Sequence, residues 1–172
     1  SNPQVMYLST GEPTSNADAV FGMGIWKSTD GGNSWNMLPS TANMIRNFKV
    51  VCDPAGNVYL ATRVLTTPVE QPYGLLRSKD GGNSWQNITP TNLTTPNAIC
   101  TDIELSSTGR FHASFGYSTG ATGGVVNHRY TDDPANVTPG SWSSSTGIRS
   151  IASPPVANRM ELACVGNILY AV

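Results

Sequence analysis

Apolar runs of four or five residues recur along the chain, each closed by a turn rich in Gly, Asn, Asp or Pro. The clearest stretch begins at Phe48. Phe48 to Cys52 is one run, Asp53-Pro54-Ala55-Gly56-Asn57 has the residues of a tight turn, and Val58 to Thr62 is the next run. Gly74 to Ser78 and Trp85 to Ile88 follow as a third and a fourth. The first two are nearly continuous in apolar character, as in strands covered on both faces. The pattern predicts an all-β chain of short antiparallel strands with few helices.

The runs belong to a repeat. Gly24-Ile25-Trp26-Lys27-Ser28-Thr29-Asp30-Gly31-Gly32-Asn33-Ser34-Trp35 returns, 50 residues on, as Gly74-Leu75-Leu76-Arg77-Ser78-Lys79-Asp80-Gly81-Gly82-Asn83-Ser84-Trp85. Around it, Val5-Met6-Tyr7-Leu8-Ser9 resembles Val58-Tyr59-Leu60-Ala61, and the same shape recurs at Gly109 to Ala113 and Gly166 to Tyr170. Trp85 and Gly109 are 24 residues apart, as are Trp142 and Gly166, which makes Trp142 the third copy of Trp35 and Trp85. Upstream, Arg129-Tyr130-Thr131-Asp132 matches Lys27-Ser28-Thr29-Asp30, with a five-residue insertion in the turn that follows. Asp132 is therefore expected to be the third copy of Asp30 and Asp80.

Four strands per unit of about 40–50 residues are the signature of β-propeller blades. On this reading residues 1–172 are part of one propeller domain holding about three blades, in approximate units 1–47, 48–98, 99–159 and an incomplete 160–172. The chain starts and ends in the second strand of a unit. Propellers close with about 4–8 blades, so the terminal sheets are expected to be covered by the remaining blades of the same protein or by a partner. A two-sheet sandwich also uses short strands, but it does not explain a motif that returns in register.

Each residue of the repeated turn has a physical reason. The carboxylates of Asp30 and Asp80 can accept backbone hydrogen bonds inside their own turns. Gly31, Gly32, Gly81 and Gly82 supply positive-φ conformations that a Cβ resists. Ser28, Ser34, Ser78 and Ser84 add hydroxyls, and Trp35, Trp85 and Trp142 open the next strand with a ring expected to be largely buried. No ligand or metal is needed. The two clean turns resemble the Asp-box, or bacterial neuraminidase repeat, of sialidases, sortilin-type ectodomains, xyloglucan-active endoglucanases and secreted bacterial propellers. The segment from Val5 to Gly32 looks most like the secreted propellers of Bacteroidetes-type bacteria. The resemblance covers essentially the whole chain and implies an extracellular or cell-surface location. It also implies that the boxes lie on the face away from any active site.

Composition narrows the function. Lys and Arg number 10, Asp and Glu 11, and the net charge is −1, which excludes the basic patch of a nucleic-acid binder or a polybasic membrane module. No stretch approaches the ~20 apolar residues of a membrane span. Ser1-Asn2-Pro3-Gln4 shows no signal-peptide pattern, as a mature or trimmed chain would also look. Cys52, Cys100 and Cys164 are too scattered for a disulfide framework, leaving room for one bridge, and His112 and His128 have no metal-ligand spacing with them. No metal and no other cofactor is expected.

In the propellers it resembles, ligands meet the loops between second and third strands and those between blades. Here these are 10–23, 63–73 and 115–123, and 37–47, 88–97 and 145–159. They carry Glu12, Asp18 and Glu70 as candidate acids and Arg46, Arg63, Arg149 and Arg159 as candidate carboxylate-binding groups. The Arg-Ile-Pro motif that precedes the first box in sialidases is absent, Ile45-Arg46-Asn47 being the nearest segment. Gly116-Tyr117-Ser118-Thr119-Gly120 spells GxSxG but leads into a strand, whereas a nucleophile elbow needs a helix. Asn87, Asn92 and Asn136 head glycosylation sequons. Two readings follow: a non-catalytic propeller that scaffolds or binds a glycan or protein, and a glycoside hydrolase of the sialidase or xyloglucanase kind whose catalytic residues lie partly outside this segment. A carboxylate pair, or an arginine triad with a tyrosine, on the channel face would separate them.

Overall fold

The computed structural model describes residues 2–13, 18–63, 74–93, 98–117, 126–146 and 159–172. Thirteen strands run through them in chain order. A three-stranded sheet holds β1 (Met6–Ser9), β2 (Ile25–Ser28) and β3 (Asn36–Met37). A four-stranded sheet holds β4 (Asn47–Cys52), β5 (Val58–Thr62), β6 (Gly74–Ser78) and β7 (Gln86–Asn87). A second one holds β8 (Cys100–Leu105), β9 (Phe111–Phe115), β10 (Asn127–Thr131) and β11 (Ser143–Ser144). A hairpin of β12 (Leu162–Val165) and β13 (Ile168–Ala171) completes the series. Within each sheet, strands adjacent in sequence pair antiparallel.

Register makes the sheets comparable residue by residue. Tyr7 pairs with Lys27, Tyr59 with Arg77 and His112 with Tyr130. One step along, Leu8 pairs with Trp26, Leu60 with Leu76 and Ala113 with Arg129. Alternation sends these two sets to opposite faces of their sheets. Leu60 and Leu76 turn toward the first sheet and pack with Ile25 and Met44, flanked by Tyr7, Leu38, Val50 and Trp85. Tyr59 and Leu75 turn the other way, to Ile103, Phe111 and Phe115 of the third sheet. Tyr59 and Phe111 meet with ring centroids 4.6 Å apart. Fully burying one such side chain stabilises by about 1.5–3 kcal/mol, so the core consists of the seams between sheets.

The seams are also tied at their inner edge. Lys49 on β4 reaches Asp102 at 3.0 Å and Glu104 at 2.5 Å on β8. The other Asp102 oxygen accepts the Leu162 N–H of β12 at 2.6 Å. Burial alone would lower the Lys49 pKa, but the hydrogen bonds it donates to Glu104 and Asp102, with their charges, outweigh it and raise the pKa. One carboxylate thus joins three successive inner strands.

The repeated turn is the same in both copies. Ser28 Oγ donates to Asp30 Oδ1 at 2.7 Å and accepts Gly32 N–H at 2.8 Å, and Ser78 does the same with Asp80 and Gly82 at the same distances. Ser34 and Ser84 give backbone N–H and hydroxyl to the two carboxylate oxygens. These bonds, led by the Ser34 and Ser84 hydroxyls, hold both aspartates down at about 2. Gly32 and Gly82 have φ of 93° and 95°.

The third turn departs from expectation in one respect. Register aligns Tyr130 with Lys27 and Thr131 with Ser28, which puts Asp133, one residue on from Asp132, at the position of Asp30. Asp133 N–H bonds Thr131 Oγ1 at 3.1 Å, as Asp30 N–H bonds Ser28 Oγ. Asp132 instead points outward into a bidentate pair with Arg110. The tryptophans hold equivalent positions, but each is half-buried where burial was expected. They precede two-residue strands at the rim, so the indoles straddle the seam edge. Trp142 Nε1–H donates across it to Ile88 O at 2.7 Å, and Trp85 Nε1–H to Ser40 Oγ at 3.2 Å. All three cysteines are free.

Phe111→Ala removes a fully buried ring from the second seam and should cost about 3–5 kcal/mol in urea unfolding. Trp85→Ala should cost less, in keeping with its position at the rim.

Candidate functional site

The described parts of the loops opposite the repeated turns lie along one rim. After β1 the chain runs along the start of the second sheet: Gly22 N–H donates to Ile45 O, and Asn47 Nδ2 to Thr10 O. Gly11, at φ 99°, lies so close to Ile45 O that a Cβ would be 2.0 Å from it. Any side chain there would open the contact.

Two arginines extend this stitching. The Arg46 guanidinium lies 4.5 Å from the Phe21 ring centroid and reaches Glu12 O at 3.5 Å. The Arg63 guanidinium lies 4.5 Å from the Tyr117 ring and donates to Pro13 O at 2.7 Å. Tyr117 also meets Phe48, with centroids 6.0 Å apart. Residues from three successive sheets thus build two guanidinium–aromatic stacks, Arg46 on Phe21 and Arg63 on Tyr117, each contributing about 0.5–2 kcal/mol. Both arginines are buried except for an edge, at 5% and 7% exposure.

Of the expected residues, Glu12, Arg46 and Arg63 come together here, with Asp18 exposed in the same loop. Arg159 is elsewhere, in an ion pair with Glu161 at the last hairpin. Glu70, Arg149 and Ser118 lie outside the described residues. Among the described residues no group of three or more His, Cys, Asp or Glu is arranged to hold a metal.

A Niastella koreensis GH74 enzyme superposes with a TM-score of 0.55 at 20% identity, covering 86% of this chain and 20% of that one. An ancestral GH74 enzyme superposes with a TM-score of 0.59 at 20% identity, covering 94% of this chain and 21% of that one. The chain is part of a β-propeller. Its sheets are blades, and it spans about a fifth of the length of either GH74 enzyme. No family model and no curated protein matches the sequence.

A buried chain across the third blade was not foreseen from residue spacing. His112 and His128 stand where the second blade has Tyr59 and Leu75. His112 Nδ1 is 3.1 Å from His128 Nε2, and His128 Nδ1 is 2.6 Å from Ser145 Oγ. Both imidazoles cannot be protonated at once in such a chain, because His112 Nδ1 and His128 Nε2 would then face each other as two donors. Burial, then His112 and Arg129, lowers the His128 pKa to about 4, and burial, then Arg110, lowers that of His112 against the pull of Asp132 and Glu104.

An unfolded chain protonates these imidazoles near 6.5, the folded one only at lower pH, at about 4 for His128. Their stabilisation is therefore complete above about pH 6.5 and lost as pH falls toward about 4. Thermal unfolding should show Tm dropping across that window, and the paired change His112→Tyr with His128→Leu should flatten it. An equal drop in the double variant would assign the pH dependence to other groups.

Proposed function

We propose that this chain is part of a secreted or cell-surface propeller that acts as a non-catalytic scaffold or binding module for a glycan or protein ligand. The observation that carries the reading is the pair of stacks, Arg46 on Phe21 and Arg63 on Tyr117. Loops pinned by stacking and main-chain bonds are preorganised, so little ordering is lost when a ligand arrives. Aromatic faces beside guanidinium edges suit the apolar faces and hydroxyls of sugar rings. The repeated turns play a structural part at the far end, in the manner of Asp-boxes. The remaining blades of the same protein, or a partner, cover the terminal sheets.

The likeness to GH74 enzymes favours a second reading. The propeller would then be a glycoside hydrolase, xyloglucanase-like or sialidase-like, with catalytic residues partly outside this segment.

Affinity electrophoresis of the full protein through gels containing xyloglucan or a sialylated glycan distinguishes the two. Binding predicts retarded migration, weakened about tenfold by Arg46→Ala with Arg63→Ala, and no release of reducing ends. Reducing-end release from either polymer would establish the hydrolase instead.

A further inference from the structure

The three seams use the same positions with different chemistry. Register aligns Ile25 of the first blade and Leu75 of the second with His128 of the third, and Tyr7 and Tyr59 with His112. Ile25 and Leu75 are fully buried among apolar neighbours from the following blade. His128 and His112 are nearly as buried, at 5% and 8% exposure, but their ring nitrogens need polar partners.

Both rings lie on the face that the third blade turns to the hairpin of β12 and β13. Asp102, Ser114 and His128 form one row across that face, and Glu104, His112 and Tyr130 form the next. From the first row, Asp102 accepts the Leu162 N–H at 2.6 Å and Ser114 Oγ donates to Met160 O at 2.9 Å. Ser107 N–H crosses the same seam to Gly166 O at 3.1 Å. Among the described residues, the apolar part of this contact is Val126, Met160, Leu162 and Leu169. The second seam instead gathers Tyr59, Leu75, Ile103, Phe111 and Phe115 in one cluster. Polar groups thus carry more of the third seam, and a proton can alter their balance.

The surrounding charges decide what that proton does. His112 faces Glu104 on β8, Arg110 before β9 and Asp132 after β10, the last two paired with each other. Glu104 and Asp132 favour a proton on His112, and Arg110 opposes it. The charges acting on His128 are His112 and Arg129, and Tyr130 stacks on its ring with centroids 6.2 Å apart. Lys49 is held by Asp102 and Glu104. On the hairpin, Arg159 pairs with Glu161, Cys164 lies in the fields of Glu104 and Lys49, and Tyr170 is exposed. One proton on the chain places a charge in a buried row. A second sets two N–H groups against each other at 3.1 Å. Parting the hairpin from the blade hydrates the rings and relieves both penalties.

We infer that the third seam is an acid-sensitive joint: protonation of the His112–His128 chain loosens the third blade's hold on the β12–β13 hairpin while the first two seams stay closed. Loss of stability on acidification then begins at one joint instead of spreading through the sheets. The inference holds whether the rim binds or cleaves a ligand.

Hydrogen exchange of the full protein, resolved to single amides and corrected for intrinsic exchange at each pH, tests the joint. Each seam has its own reporters. Gly22 N–H bonds Ile45 O across the first, Thr91 N–H bonds Pro139 O across the second, and Ser107 and Leu162 N–H cross the third. Moving His128 from about 6.5 when exposed to about 4 in the closed seam predicts opening about tenfold more frequent at pH 5.5 than at pH 7. Ser107 and Leu162 should show that rise while Gly22 and Thr91 do not, and His112→Tyr with His128→Leu should remove it. Equal acceleration at all four amides, or none at Ser107 and Leu162, would overturn the inference in the native protein, whether or not the variant folds. A rise that persists in the folded variant would assign the proton to another group and overturn it as well.

Discussion

A four-stranded sheet with apolar side chains on both faces cannot be stable by itself. Leu60 and Leu76 leave one face of the second blade and Tyr59 and Leu75 the other, so each face finds shelter only on the blade beside it. Everything else in the chain serves that arrangement. Two-residue outer strands keep the blades narrow at the rim, and Asp102 spaces the inner strands by holding Lys49 on one side and the Leu162 N–H on the other. Removing a neighbour therefore exposes half a core, which distinguishes this architecture from one with a single central core.

The repeated turn serves the seams as well as the hairpin. Its Ser–Asp–Ser hydrogen bonds close the link between third and fourth strands within the blade, and its glycines leave a shallow surface for the preceding blade. Gly82 is constrained by its positive φ and by the Leu38 side chain resting against it. The charge of Asp80 is consumed inside the turn, where Ser84 and Ser78 occupy both its oxygens. This explains how the most recognisable motif in the chain can say little about chemistry.

Much of the architecture was legible in the sequence because turn residues and strand length are local properties. The strands read at Phe48, Val58, Gly74 and Trp85 lie within a residue or two of β4 to β7. The assignment of Asp132 failed because it followed the flanking residues instead of the hydroxyl. Ser28 and Asp30 are two apart, and Thr131 keeps that spacing with Asp133, a signal available from the start. The candidate site was legible only in part. Arg46 and Arg63 could be read onto loops from the strand pattern, but their stacking on Phe21 and Tyr117 depends on contacts between different blades. The pairing of His112 with His128 needed strand register, which residue spacing alone does not supply.

The third seam differs from the other two, and the difference has a consequence for assembly. Where the first two blades offer Tyr and Ile or Leu, the third offers His112 and His128 linked to Ser145. A tandem array of near-identical modules risks joining out of order as it emerges from the ribosome, since any sticky face fits any other. Dissimilar faces penalise the wrong neighbour. The turns are alike from blade to blade while the faces differ, so it is the faces, and not the motif, that distinguish one neighbour from another.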